Sequence, residues 1–266
     1  IKMLGKEDTA VRGNFLSALA MFIAVSATFI NVINPILVLV GIGIGAIIGS
    51  LIALKVKMTS IPEMVALFNG FGGLATFFIA WSEFNSIPSN NFQYLLVMIT
   101  TYIGGVTFSG SVIAYGKLSE TLKVEKSSII TKLFTTLFYI SIIYLLYSIF
   151  ITKIFSPGFD FYTILLILTL LGGVGFVIPI GGGDMPVVIS LLNSFSGIAA
   201  AFAGLLLLNN VLIVAGSLVG ASGLILTIIM AKAMNRSIGN ILFVGYASSA
   251  SASKSEETGE VKPINV

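Results

Sequence analysis

Long stretches without a single charged side chain alternate with short polar ones along this chain. Residues 13–54, 84–116, 133–152, 161–183 and 185–231 contain no Asp, Glu, Lys or Arg, and a shorter run covers 64–82. A helix needs about 20 apolar residues to cross a bilayer. The 185–231 run would be roughly 70 Å long as one helix at 1.5 Å per residue, so it has to fold back. Turn signals divide it at Asn209-Asn210 and divide the first run at Asn31-Val-Ile-Asn-Pro35. The pattern therefore predicts eight helices: 14–32, 36–54, 62–82, 92–116, 130–152, 161–179, 186–207 and 211–233. Residues 247–254 are rich in Ser and Ala and are followed by Glu256, Glu257, Glu260 and Lys262, which reads as solvated chain. The expected organisation is a transmembrane domain over 1–237 and a cytoplasmic linker over 238–266.

Composition narrows the class. Of 266 residues, 56% are hydrophobic and 9% charged, and the mean hydropathy is +1.06. A soluble fold of this size needs far more polar surface. A soluble enzyme, a nucleic-acid binder and a disordered chain are all excluded. With Cys 0 and His 0, there are no disulfides or thiolate metal sites, and the side chain that titrates nearest neutral pH is missing. The expected fold class is all-α, a polytopic membrane helix bundle of eight transmembrane helices.

An even number of spans puts both ends on one side, and the cations identify it. Lys2, Lys6, Arg12, Lys55, Lys57, Lys117, Lys123, Lys126, Lys232, Arg236, Lys254 and Lys262 share that side, 12 of the 14 Lys and Arg residues. The positive-inside rule then places both termini in the cytoplasm of a multi-pass protein of the cell membrane. The net charge of +3 reports topology rather than a nucleic-acid surface. The first residues, Ile1-Lys-Met-Leu-Gly5, lack an initiator Met and a signal-peptide pattern; a preceding segment is expected to be missing.

One internal repeat stands out. Residues 61–78, IPEMVALFNGFGGLATFF, align with 185–202, MPVVISLLNSFSGIAAAF, at an offset of 124 with seven of eighteen positions identical. A weaker echo pairs Phe108-Ser-Gly110 with Ala221-Ser-Gly223, so 62–82/92–116 and 186–207/211–233 read as equivalent, parallel hairpins. In each copy Pro opens a helix, where its missing N–H costs nothing, and Asn follows seven residues later. Asn69 and Asn193 should lie roughly 10 Å into the bilayer. A buried amide costs several kcal/mol unless it is hydrogen-bonded, so both are expected to face the bundle interior or a wet cavity. They could equally be structural glue between helices. The small residues around them (Gly70, Gly72, Gly73, Ser194, Ser196 and Gly197) allow close approach of backbones or of water.

Several other features have both a structural and a functional reading. Ser60-Ile-Pro-Glu63 spells a capping box, and Asp184 occupies an N-cap position after Gly181-Gly-Gly183. Each could be a cap, yet three glycines before a carboxylate also suit a moving loop. Lys232 and Arg236 close the last helix, where cations complement its dipole. Gly41, Gly45 and Gly49 form a four-spaced stripe expected to pack against another helix. A nucleotide loop or a catalytic constellation is not evident.

Four segments carry a resemblance: 59–70 (TSIPEMVALFNG), 105–117 (GVTFSGSVIAYGK), 180–190 (IGGGDMPVVIS) and 231–237 (AKAMNRS). Together they make the chain resemble the membrane domain of the beta subunit of proton-translocating NAD(P) transhydrogenase, to about residue 240. The resemblance implies hydride transfer between NAD(H) and NADP(H) coupled to proton movement. NAD and NADP would be bound by soluble domains of the complete enzyme and no cofactor by this segment, which would not catalyse hydride transfer alone. Implied partners are the alpha membrane subunit, an NADP(H)-binding domain after the 238–266 linker, the lipid bilayer, and a second copy in a homodimer, with no nucleic acid. The family's beta subunit has one more helix before residue 1. Asn69, Asn193 and Asn209 match polar positions of the proton path. Glu63 opens the first copy of the repeat on the same cytoplasmic face as Asp184, Lys232, Arg236 and Ser237, and these five are the expected coupling surface toward the NADP(H) domain. Some relatives carry His at the position of Asn69, and its absence here leaves the titrating group open. A secondary transporter for a small solute, with Gly172-Gly-Val-Gly175 breaking a helix, is the alternative; a membrane anchor for a soluble domain is a third reading.

Overall fold

The computed structural model describes residues 7–29, 34–86, 88, 90–122, 129–152 and 159–242, and these form two units, Ile1–Lys57 and Met58–Val266. The first unit contains α1 (Glu7–Phe29) and α2 (Pro35–Lys55). Pro35 opens α2 and Lys55 sits in its last turn, but no residue of α2 is buried. A Cβ added at Gly41, Gly45 or Gly49 would meet nothing within 4 Å. The expected glycine seam is therefore not used among the described residues of this unit. α1 begins seven residues before the charge-free run predicts, because Glu7, Asp8 and Arg12 are accommodated on its first turns; residues 30–33 fall outside the described residues.

The second unit holds α3 (Ile61–Asn85), α4 (Asn91–Leu118), α5 (Ile129–Thr152), α6 (Phe159–Val177), α7 (Met185–Leu206), α8 (Asn210–Ala233) and the short α9 (Ile238–Leu242). Across both units eight helices are long and apolar enough to cross a membrane, and no strand occurs among the described residues. The elements start and stop where local chemistry directs. Pro62 and Pro186 lie in the first turns of α3 and α7, and Asn90 caps α4 by accepting from the Gln93 N–H at 2.9 Å. Gly172-Gly-Val-Gly175 does not break α6, which continues to Val177. Instead Gly172 lies against Ser141 of α5, and Gly173 against Ser109 and the backbone of α4.

α4 and α7 are the most buried helices. α4 packs on α3, α5, α6 and α7, α7 also packs on α3 and α8, and α8 meets the bundle chiefly through α7. Two apolar clusters sit at opposite ends of this unit. At the Asp184 end, Ala66, Ala114, Val177, Ile180, Met185, Leu192, Ala231 and Ile241 pack together. At the Asn209 end the cluster includes Phe84, Tyr94, Met98, Tyr162, Leu165 and Leu206, with the Phe84 and Tyr162 rings stacked 3.8 Å apart. Ile241 is fully buried, so packed structure continues through α9, beyond the residue 237 at which the apolar pattern ends.

Between these clusters the helices meet through glycines and hydroxyls. A Cβ added to Gly73 of α3 would lie 2.9 Å from the Gly104 carbonyl oxygen, the Phe108 nitrogen and Thr107 Cβ of α4. Its counterpart in the repeat, Gly197 of α7, meets Val219 and Gly220 of α8 in the same way, with Gly220 Cα 2.8 Å away. Thr107 precedes Phe108 as Gly220 precedes Ala221, so the hairpins α3–α4 and α7–α8 use the same close approach at matched positions.

This packing predicts opposite outcomes at neighbouring glycines. Gly73→Ala must separate α3 from α4, costing about 1–3 kcal/mol. At Gly72 an added Cβ finds Ser196 Oγ at 3.9 Å, an ordinary contact, and Gly72→Ala should leave stability near that of the parent. The melting temperatures of the two purified variants check this.

Candidate functional site

The approach of α3 to α4 creates the main polar cluster. With no Cβ on Gly70 or Gly73, α4 comes close enough for Ser111 Cβ to sit 3.1 Å from where a Gly70 Cβ would be. The Asn69 carboxamide then donates from Nδ2 to Ser111 Oγ at 3.0 Å. From the other side, Ser196 of α7 donates to Asn69 Oδ1 at 2.8 Å and approaches the Asn69 backbone carbonyl at 3.4 Å. One amide thereby links three helices. Ser111 is fully buried, whereas Asn69 and Ser196 are half-buried, so the cluster reaches the outside of the bundle. A carboxamide has two N–H donors and two acceptor lone pairs, more capacity than these bonds use.

Asn193 departs from one expectation. Of the two expected settings, the bundle interior or a wet cavity, it does not take the first: it is exposed on α7, with no hydrogen bond to any described residue. The cause is its neighbourhood: α7 turns Leu192, Ser194 and Gly197 toward the unit, and Ser194 donates to the Gly220 carbonyl at 2.7 Å. Ser196, half-buried beside that inward side, is the partner of Asn69. Asn193 and Ser196 are three residues apart and so lie on one ridge of α7. Asn69, Ser196 and Asn193 therefore share one side of the α3–α7 pair. Asn209, the third expected member, is the N-cap of α8 and accepts from the Leu212 N–H at 3.1 Å; it does not join the cluster.

At the other end, Asp184 and Arg236 meet, with Nη1 of Arg236 3.8 Å from Oδ2 of Asp184. Asp184 is 5% exposed and, although at the N-cap position of α7, makes no side-chain cap bond. Charge pairing thus replaces the capping that the sequence suggested. Ser60 likewise makes no cap bond at the start of α3, so the expected capping box is not formed; Glu63 lies half-buried in that first turn.

The turn after α8 aims Arg236. Asn235 adopts φ 53°, while the N–H groups of Asn235 and Arg236 bind the carbonyls of Lys232 at 3.0 Å and Ala231 at 2.9 Å. This is a Schellman ending, which needs a left-handed residue at the position Asn235 fills. Ser237 then accepts from the Asn240 N–H at 3.1 Å and caps α9, a role hidden in sequence because the helix has only five residues. Lys232, Asn235, Arg236 and Ser237 line an open cavity of about 410 Å³ with Ile228, Ala231 and Ile238.

Two features escaped the sequence reading. Ser111 lies within a recognised motif without periodicity marking it as a partner of Asn69. Lys117, read only as an orienting cation, reaches from α4 to three backbone carbonyls at and just after the end of α6.

Eight apolar spanning helices and an amide-centred cluster between the central ones define a multi-pass membrane protein. All of residues 1–266 match the family described as NAD(P) transhydrogenase beta subunit. Two relatives, both called NAD(P) transhydrogenase subunit beta, come from Rhodospirillum rubrum and from a named strain of that organism. Each is 36% identical over 259 residues, covering 93% of this chain and 55% of the relative. The chain belongs to the NAD(P) transhydrogenase beta subunit family, and it spans about half the length of the curated relatives it matches.

The Schellman geometry predicts a graded response at Asn235. Asn235→Gly should be tolerated, whereas Asn235→Val forces a branched side chain into the left-handed region at about 1–2 kcal/mol or more. Thermal unfolding of the two purified variants should separate them; equal melting temperatures would contradict the geometry.

Proposed function

We propose that this helix bundle is the proton-conducting membrane part of a transhydrogenase that couples hydride transfer between NAD(H) and NADP(H) to proton translocation. The observation that carries the reading is Asn69, held between Ser111 and Ser196 and sharing one side of the α3–α7 pair with the exposed Asn193. Uncovered amides in hydrocarbon cost several kcal/mol, so this face has to meet protein or water. In the proposed assembly the alpha membrane subunit covers it, and water between the subunits bridges Asn69, Ser196 and Asn193. Asn and Ser do not titrate between pH 5 and 8. They orient water and pass hydrogen bonds along it, while the group that binds and releases the proton belongs to the partner subunit. Asn209 holds the start of α8 at the far mouth of this path.

At the Asp184 end, Asp184, Arg236, Lys232, Ser237 and Glu63 face the NADP(H)-binding domain. The cation distribution supports a cytoplasmic position for that end and for both termini of this segment. NAD and NADP bind in the soluble domains of the complete enzyme. The complete assembly is a homodimer. A solute transporter is not favoured, since α6 stays helical through its glycines.

The test uses the complete, reconstituted enzyme. Asn69→Leu removes both side-chain bonds and should reduce proton translocation in vesicles to the level of the lipid leak, with the protein still assembled. Ser196→Ala, which leaves the Asn69–Ser111 bond intact, should reduce it less. Normal proton translocation by Asn69→Leu would overturn the reading.

A further inference from the structure

The loop between α6 and α7 is held at two points. α6 ends at Val177, and the last carbonyls of any helix have no partner within it. Here Lys117, from the end of α4, supplies the donors. Its ammonium donates to the carbonyls of Val177 at 3.1 Å, of Ile180 at 2.5 Å, and of Ile178. An ammonium carries three N–H donors, and three carbonyls of one short segment surround this one. Val177, Ile178 and Ile180 are all buried, so without Lys117 these oxygens would lose partners in a place with little water. This is more than a lysine at the membrane surface: it ties the end of α4 to a backbone segment some sixty residues away.

The second point is Asp184, paired with Arg236. Between the two, Gly182–Asp184 forms one 3-10 turn, with the Asp184 N–H bound to the Gly181 carbonyl at 3.0 Å, while a Cβ added at Gly182 or Gly183 would meet nothing within 4 Å. Lys117 also belongs to the helix that carries Ser111, the partner of Asn69. Six residues separate Ser111 from Lys117, roughly 9 Å of helix. A shift of α4 at the Asn69 cluster is therefore transmitted through a rigid helix to Ile180, and from Ile180 across the glycines to Asp184.

We infer that Lys117 is a positioning residue for coupling: it ties the α6–α7 loop to α4, so that changes at the Asn69–Ser111–Ser196 cluster reach Asp184 and the surface it shares with Arg236. This rests on the proton-path reading above. Lys117 touches neither the proton nor a nucleotide in this account; its role is to keep the loop in step with α4.

The complete enzyme, reconstituted in vesicles, tests it through the number of protons translocated per hydride transferred. Lys117→Met keeps the length of the side chain and removes every donor. It should lower that ratio about tenfold, as the loss of a typical coupling free energy would, while hydride transfer continues. Lys117→Arg, which restores cationic donors, should recover most of the ratio. A merely structural lysine would lower the amount of assembled enzyme and leave the ratio of the surviving fraction unchanged; that result overturns the inference. Lys117→Gln keeps two uncharged N–H donors for the loop and guards against misfolding of the Met variant. If neither Lys117→Met nor Lys117→Gln assembles, Lys117 is structural and the inference fails. Asn69→Leu, measured alongside, separates the two levels. Pumping lost in Asn69→Leu but normally coupled in Lys117→Met sinks only the role of Lys117, whereas normal pumping in Asn69→Leu sinks the proton-path reading itself.

Discussion

A carboxamide within the hydrocarbon zone must find its hydrogen-bond partners in protein or in trapped water, and Asn69 is where this chain meets that requirement. The bond to Ser111 exists only because α3 and α4 touch through Gly70 and Gly73, and Ser196 of α7 adds the second bond. They also set where α7 lies relative to that pair. The remainder of the second unit follows: apolar clusters close both ends, and the layer between them is made of residues small enough for backbones to meet and polar enough to bond across helices. Such a layer gains little from the hydrophobic effect, since lipid is as apolar as the helices. Close packing and interhelical hydrogen bonds hold it.

The same economy of charge governs the Asp184 end. Of the few ionic groups in the chain, Asp184 and Arg236 pair, and Lys117 is committed to the backbone carbonyls that α6 leaves open. Each cation thus meets a specific oxygen across a loop or a helix end. With the 3-10 turn Gly182–Asp184 between them, these two anchors fix the segment that enters α7. Cations that read in sequence as topological markers are here parts of the link between helices α4, α6, α7 and α8.

Much of the fold was legible because a bilayer imposes length and charge rules that act locally. Charge-free runs located eight helices, Pro62 and Pro186 marked two starts, and Asn209 marked the turn before α8. The repeat identified hairpins that pack alike, down to the matched glycines Gly73 and Gly197. Asn69 was also readable as an interior amide. Asn193 was not, although its spacing from Pro186 is the same as that of Asn69 from Pro62. Which face of a helix is covered depends on its neighbours: α7 turns its Leu192–Ser194–Gly197 side inward, and Asn193 is left outside. The capping readings at Ser60 and Asp184 failed for a related reason, since local spacing allows a cap but tertiary charge pairing drew Asp184 to Arg236. Lys117 and Ser237 were hidden because their partners are backbone atoms, which no side-chain pattern reveals.

The central claim is that water reaches the Asn69 cluster from the exposed side of the α3–α7 pair. The chain contains no Cys, so a single cysteine can report on this directly in an otherwise cysteine-free complete enzyme. Ser196→Cys, beside Asn69, should react with a small, membrane-impermeant thiol reagent, because a thiol ionises and reacts only where water solvates it. Ala199→Cys, at a fully buried position of the same helix, is the dry reference. Rapid labelling at residue 196 with none at residue 199 is the result predicted; equal protection of both would contradict a hydrated path at Asn69.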